Sequence, residues 1–199
     1  PFPFLKKKEH MITFVSNTTS ISDSFRQGTI QDVVDYCKTK TVLGVDTETE
    51  GFDFTCKKMI MFQIGDENQQ FVIDTRGISI EPLRDVLESK DIIKIFHNAK
   101  FDYKFIKMWA HIECANVYDT FLVEKVITCG QELRYGLAHL CDRYLGVELN
   151  KEVRNQFIGL TGQAFRNDQI VYGAKDVEYL CKIRQLQLPE IDKYKLHNV

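Results

Sequence analysis

Val42–Thr49 reads VLGVDTET, an apolar run that leads directly into two carboxylates. Residues two apart on a β-strand face the same side, so Asp46 and Glu48 are predicted to project together from the end of a core strand. A folded core normally rejects carboxylates, because burying an uncompensated charge is costly. Two acids on one face at this position therefore predict a bound cation.

Two further segments combine polar and apolar residues in the same way. Residues 98–102 read NAKFD after an apolar strand, and residues 172–176 read YGAKD within a helical pattern. Residues four apart share one face of a helix, which pairs Asn98 with Asp102 and Tyr172 with Asp176. Three separate elements thus present polar groups toward one point, and their four carboxylates are enough for two divalent cations.

Three motifs in this order resemble those of the DEDD-superfamily 3′–5′ exonucleases: Asp46-x-Glu48, Asn98-x-x-x-Asp102 and Tyr172-x-x-x-Asp176. The tyrosine marks the branch that contains the proofreading domains of family A (pol I-like) DNA polymerases and the ribonuclease D-like enzymes. Within this branch, the chain resembles the proofreading domains most. The sister branch has a histidine five residues before the last aspartate, where this chain has Val171. The resemblance covers roughly residues 41–185 and implies a ribonuclease H-like fold.

Hydrophobic periodicity predicts a compatible architecture. The predicted strands are Met11–Val15, Val42–Glu48, Lys58–Ile64, Gln70–Asp74 and Ile92–Phe96. Short turns join the middle three into an antiparallel meander. Predicted helices follow a capping box at Thr29 and Asp32, run from Ser79 to Lys90 and from Asn98 to Trp109, and continue after Asp119. We predict an α/β protein with a ribonuclease H-like mixed sheet, a meander plus parallel strands, flanked by helices.

Composition places the 199 residues in one domain, because 44% hydrophobic and 27% charged residues suit a single sizeable core. Residues 1–10 are expected to be an arm or linker. No apolar stretch is long enough for a membrane span and no signal peptide is visible. The missing initial methionine suggests a fragment or a processed chain. Six cysteines without a Cys-x-x-Cys pair predict reduced thiols and hence a cytoplasmic protein. A nucleoid-associated protein is the alternative, and a viral protein would be expected in the host cytoplasm.

The resemblance implies two-metal-ion hydrolysis with Mg²⁺ or Mn²⁺. Asp46 would bridge both cations, while Glu48 and Asp176 would hold the cation that activates water. Asp102 would hold the cation near the leaving 3′ oxygen, mostly through water. Tyr172 would orient the attacking water, since a tyrosine that titrates near about 10 is a poor base at neutral pH.

Substrate contacts are expected around these motifs. The resemblance assigns Thr49 and Phe52 to the terminal nucleotide, and Phe52 either stacks on a base or packs on the sheet as a turn residue. Asn98 either touches the substrate backbone or caps its own helix. Three basic residues before the third motif either meet phosphates or form a solvated face: Lys151, Arg154 and Arg166.

The leading functional prediction is a 3′–5′ exonuclease that acts on single-stranded DNA ends and releases nucleoside monophosphates. It would serve proofreading or DNA processing, with a polymerase domain in the same polypeptide or complex as its partner. The alternative is a ribonuclease D-like 3′–5′ exoribonuclease, and the shared motifs do not choose between them. A net charge of −2 gives no nucleic-acid signature, but bound cations would neutralise the acidic centre. An inactive exonuclease fold used for binding ranks last, because all four acids and the tyrosine are present.

Overall fold

The computed structural model describes residues 11–19, 22–149, 153 and 156–196. One mixed sheet of seven strands has the order β2-β1-β5-β4-β3-β6-β7. The strands are β1 Met11–Val15, β2 Arg26–Gly28, β3 Val42–Thr49, β4 Met59–Gly65, β5 Gln69–Asp74, β6 Ile93–Phe96 and β7 Val117–Asp119. The predicted arm, residues 1–10, lies outside the described residues.

The pairing directions confirm the predicted mixed sheet. Strands β3, β4 and β5 form the antiparallel meander, and β6 and β7 continue it from β3 in parallel. On the other side β1 pairs in parallel with both β5 and β2. The short edge strands β2 and β7 were not predicted from the sequence.

Helices flank the sheet, as predicted. Their bounds are α1 Ile30–Lys38, α2 Arg84–Leu87, α3 Ala99–Ala110, α4 Thr120–Ile127, α5 Leu137–Leu145 and α6 Asn167–Tyr194. Helix α1 begins at the predicted capping box: Asp32 N donates to the Thr29 hydroxyl at 3.2 Å, and Thr29 N donates to the Asp32 carboxylate at 2.7 Å. Within the described residues, no helix is long and apolar enough to cross a bilayer.

The predicted helix from Ser79 to Lys90 is wrong in extent. The chain forms a 3₁₀ turn over Glu81–Leu83 and then only the short helix α2. The ammonium group of the fully buried Lys94 donates to the carbonyl oxygens of Val86, Ser89 and Ile92. These carbonyl oxygens accept hydrogen bonds from the side chain of Lys94 in β6 instead of from the backbone of a longer helix. This explains why α2 ends at Leu87.

The two faces of the sheet pack against different elements. Val45, Phe62 and Ile64 belong to the main core that also includes residues of α1, α2 and α3. Helix α6 packs along the opposite face, where Ile170 and Ala174 join a second core with residues of β1, β4 and β5. Because side chains alternate along β3, Asp46 and Glu48 lie on the α6 face. The carboxyl end of β3 is thus the place where both layers of helices can contribute side chains.

Candidate metal centre

Three carboxylates converge at the end of β3. Asp46, Glu48 and Asp176 each offer an oxygen, and these oxygens all lie within 4.8 Å of one another. Oxygen ligands bind Mg²⁺ at about 2.0–2.1 Å, so a small adjustment of these side chains would let their oxygens share one cation. Hard carboxylate oxygens are also the ligand type that Mg²⁺ and Mn²⁺ prefer. The three residues therefore fit a divalent cation.

Two glycines allow α6 to approach closely enough to complete this group. A Cβ on Gly44 would lie 2.7 Å from the carbonyl oxygen of Val177, one residue after Asp176. A Cβ on Gly173 would lie 2.6 Å from the amide nitrogen of Gln63 in β4. A side chain at position 44 would require movement of the helix or strand, whereas one at position 173 would require the Gln63 side chain to shift. Glycine between apolar residues of a strand is the sequence signal for such an approach, and the sequence analysis did not use it.

The fourth acid reaches the strand end from the other face. Asp102 lies on α3 and is buried, and its carboxylate accepts a 2.6 Å hydrogen bond from the Thr47 hydroxyl. Thr47 stands between Asp46 and Glu48 and faces away from them, toward α3. Asp102 is therefore beside the group formed by Asp46, Glu48 and Asp176 and is not one of its members. Thr47 was missed by sequence analysis, although its place between two acids puts its hydroxyl on the opposite face.

Burial and like charge act together on Asp102. Removal from water raises the pKa of this carboxyl well above its usual range, and the negative charge of Asp46 raises it further. The hydrogen bond from Thr47 acts in the opposite direction without offsetting these effects. A cation between the two carboxylates would reverse the balance, since it favours the charged form of both.

Tyr172 lies one turn before Asp176 on α6, as the helical spacing predicted. Its ring is partly buried, and its centroid lies 6.2 Å from that of Phe157. Phe157 and Phe165 belong to the core beneath α6, so the tyrosine ring is supported by packing. This arrangement is compatible with a hydroxyl held near the carboxylates and also with the simpler role of a packed aromatic residue.

Asn98 and Asp119 fix the start of α3. Asn98 has a left-handed backbone, with φ of 63°, and makes no side-chain capping bond. The Asp119 carboxylate accepts from the backbone N–H groups of Asn98 and Ala99, each at 2.9 Å, and also from that of Phe121 in α4. One carboxylate thus caps two helices. The exposed side chain of Asn98 lines a cleft at the start of α3, the helix that carries Asp102.

A cleft of about 430 Å³ lies between the loop after β3 and the first turns of α3. Phe52, Phe54, Asn98, Lys100, Phe101 and Lys104 are among its lining residues. The Phe52 side chain is 72% exposed, and its ring lies edge-on to that of Phe101 with a centroid distance of 6.4 Å. The ring is therefore not packed on the sheet, which was one of its two predicted settings.

Other predicted substrate contacts are engaged within the protein or lie elsewhere. The Thr49 hydroxyl donates to the carbonyl of Gly51 at 2.7 Å. Arg166 is exposed and its guanidinium makes two hydrogen bonds to Asp168. Lys151 and Arg154 lie outside the described residues. The roles of these four residues stay predictions.

A sequence profile of the 3′–5′ exonuclease family matches residues 24–192. The chain belongs to the 3′–5′ exonuclease family. Membership confirms the predicted enzyme class, a hydrolytic 3′–5′ exonuclease, and its matched segment contains all three motifs. The divalent cations expected from the resemblance are in keeping with this family and with the carboxylate group at the end of β3.

Four of the matched relatives are named ribonuclease D. Ribonuclease D of Sphingobium indicum is 28% identical over 152 residues, which are 75% of this chain and 38% of that protein. The chain spans 38–40% of the length of three such ribonuclease D sequences. Among solved structures, NrnC of Brucella melitensis has a TM-score of 0.74 at 21% identity, covering 94% of this chain and 85% of that one. The catalytic core of RRP6 from Trypanosoma brucei has a TM-score of 0.76 at 19% identity, covering 93% and 48%.

These similarities bear on the narrower predictions. The solved structures share the fold, which confirms the predicted architecture. The names of the relatives favour the ribonuclease D-like alternative over the leading DNA prediction. They give no support to proofreading, to DNA replication or to a polymerase partner.

Proposed function

We propose that this chain is a 3′–5′ exoribonuclease that removes nucleotides one at a time from single-stranded RNA ends with Mg²⁺ or Mn²⁺. The observation that carries this proposal is the group of Asp46, Glu48 and Asp176, brought within 4.8 Å of one another in a member of the exonuclease family. The second buried acid beside it, Asp102, provides a further ligand on the other side of Asp46.

Two cations fit this set of acids better than one. Asp46 is grouped with Glu48 and Asp176 on one face of the sheet, and its charge also acts on Asp102. Glu48 and Asp176 would hold one cation together with Asp46, and Asp102 with Asp46 would hold the other. A structure of NrnC with bound Mg²⁺ is among the similar folds. When bound, the cations supply positive charge for the phosphate and lower the pKa of water.

The protein side chains then position the reactants. The Tyr172 hydroxyl orients the attacking water, whose oxygen bonds to phosphorus while the bond from phosphorus to the 3′ oxygen breaks. The proton lost by the water ends on that 3′ oxygen of the shortened chain, and a nucleoside 5′-monophosphate leaves. Tyr172 contributes only a hydroxyl, so it aids the geometry without holding a cation.

The cleft between the loop after β3 and the first turns of α3 suits an unpaired 3′ end. Phe52 offers an exposed aromatic face, and base stacking on such a ring contributes about 1–3 kcal/mol per base. Lys100 and Lys104 line the same cleft and can meet backbone phosphates. Paired bases cannot splay onto Phe52, so single strands should be degraded faster than matched blunt duplexes.

RNA is preferred in this proposal because four of the matched relatives are named ribonuclease D. One similar structure, NrnC, was solved bound to pGG. DNA is the second candidate, since the three motifs also resemble proofreading exonucleases. The acids act on the phosphate and make no contact that distinguishes ribose from deoxyribose, so an experiment has to choose between RNA and DNA.

The deciding assay uses 5′-labelled single strands of RNA and DNA with the same sequence, each with Mg²⁺, Mn²⁺ or a chelator. We expect a ladder that shortens from the 3′ end, faster for RNA, and no cleavage in the chelator. Faster cleavage of DNA would overturn the substrate choice but not the reaction. Intact substrate with either cation would show an inactive fold. An Asp46→Ala sample purified in parallel controls for contaminating nucleases.

A further inference from the structure

Gln63 lies at the centre of the sheet, directly opposite the key acid of the site. It belongs to β4 and is fully buried, and its register partner in β3 is Asp46. Cross-strand partners project from the same face with their Cβ atoms about 4.5–5.5 Å apart. The Gln63 amide therefore lies on the α6 face, beside the carboxylates that would hold cations.

The amide of Gln63 is unlike those of the other buried glutamines. Both its nitrogen and its oxygen are inaccessible and have no hydrogen-bond partner within the described protein. Gln70 of β5, by contrast, donates to the carbonyl of Asp66 at 2.6 Å, and Gln187 of α6 donates to Thr120 and Glu124. A buried amide without a partner lowers stability, so its presence needs a reason beyond packing.

The surroundings of Gln63 point to the site. Gly173 of α6 lies against its amide nitrogen, between Tyr172 and Asp176 in the sequence. The Gln63 amide therefore lies between its own strand β4, which pairs with β3 at Asp46, and helix α6, which carries Tyr172 and Asp176. Because Gln63 is fully buried, it cannot touch the nucleic acid itself.

We infer that Gln63 is a positioning residue for the cation site. Its N–H group donates to the carboxylate of Asp46, directly or through one water, once cations occupy the site, and so holds that carboxylate in the orientation that bridging requires. Amide nitrogen is a donor and a carboxylate accepts several hydrogen bonds, which makes the two groups complementary. Groups behind metal ligands commonly orient them in this way. This inference rests on the proposed function.

The test is Gln63→Met, which keeps the length of the side chain and removes both polar atoms. Urea unfolding in chelator should show the variant as stable as the parent or more so, since an unpartnered amide has gone. Calorimetric titration with Mn²⁺ should show an affinity about 10–100-fold lower, the usual loss when a group behind a metal ligand is removed. Raising the Mn²⁺ concentration should recover the cleavage rate, because the defect is in cation binding.

Gln70→Met is the matched control, since it is also a buried glutamine and lies two strands from Asp46. It should lose stability with its hydrogen bond to Asp66 and keep the Mn²⁺ affinity of the parent. Equal Mn²⁺ affinity in Gln63→Met and the parent would overturn the inference. So would loss of folding in both Gln63→Met and the smaller Gln63→Leu, since that marks a purely structural role. A parent that binds no Mn²⁺ would instead defeat the proposed function.

Discussion

Two buried carboxylates on helices, Glu124 and Asp102, have opposite surroundings. Glu124 of α4 is 1% exposed and accepts hydrogen bonds from Arg143, from the hydroxyl of Tyr144 and from the amide of Gln187. Its charge is matched inside the protein. Asp102 of α3 is 3% exposed and has no cation beside it to match its charge in the described structure; burial raises its pKa, and the negative charge of Asp46 raises it further.

The contrast separates a structural acid from a cation-binding one. Glu124 joins α4, α5 and α6 through partners of its own, so a cation from solution would add nothing to it. The acids at the end of β3 repel one another, and this repulsion lowers stability until a divalent cation binds between them. The two regions should therefore respond in opposite ways to mutation and to metal.

The largest effect is expected for Asp46→Ala. Cleavage should fall by at least about 10³-fold, because no other side chain can serve both cations, each worth several kcal/mol of transition-state stabilisation. In chelator the variant should be as stable as the parent or more so, since one of several repelling charges is gone. Mn²⁺ should raise the Tm of the parent and leave that of the variant unchanged. A folded variant that still cleaves with Mg²⁺ would refute the assignment.

Glu124→Ala should show the reverse pattern. It leaves the guanidinium of Arg143 without its carboxylate and should lower the free energy of unfolding by roughly 3 kcal/mol, at the low end for a buried pair because Arg143 is one-third exposed. Mn²⁺ should still raise its Tm as in the parent. Urea unfolding with and without Mn²⁺ measures both. Glu113→Ala, which removes an exposed pair with Lys107, is the control and should leave the free energy of unfolding nearly unchanged. Loss of the Mn²⁺ response in Glu124→Ala would contradict the separation of the two regions.

Tyr172→Phe should slow cleavage without weakening cation binding. An orienting hydroxyl should contribute at or below about 10²-fold, the low end for groups that handle protons. Phenylalanine keeps the ring and hence its packing near Phe157. Single-turnover cleavage and Mn²⁺ calorimetry are compared with Asp176→Asn, which should lose affinity. A parental rate in Tyr172→Phe would reduce the tyrosine to a packing residue.

Gly44→Ala should have the smallest effect and test the approach of α6. The added methyl meets the Val177 carbonyl at 2.7 Å, and overpacking of this kind costs about 1–3 kcal/mol. Because the shift displaces Asp176 from Asp46, Mn²⁺ affinity should fall as well. Gly162→Ala adds a methyl in open space and should change neither property. Unchanged affinity in a destabilised Gly44→Ala would show that the site tolerates movement of the helix.

Local periodicity was sufficient for much of the fold and for the pairs within the site. Asp46 with Glu48, and Tyr172 with Asp176, share faces because strand and helix repeats are regular. The capping box at Thr29 marks the start of α1 for a similar reason, since all of its hydrogen bonds are local. Such features are decided within a few residues of sequence.

Other features depend on partners distant in the chain. Strand β2 exists because β1 pairs with it, and Arg26 also donates to Thr13 across that pairing. The early end of α2 depends on Lys94 from the next strand. The position of Asp102 beside the acids, and not among them, depends on Thr47 and on the face of the sheet that α3 covers. Spacing within a motif contains none of this information.

Helix α6 also determines when during folding the site can exist. Asp46 and Asp176 are 130 positions apart in the sequence, so the carboxylates meet only after this long helix has packed on β3 and β4. Closing so long a loop is slow compared with forming the local turns and hairpins. A nascent chain emerging from the ribosome would hold the strand acids but not their partner. Nuclease activity would therefore begin only after α6 has packed on strands that are already in place.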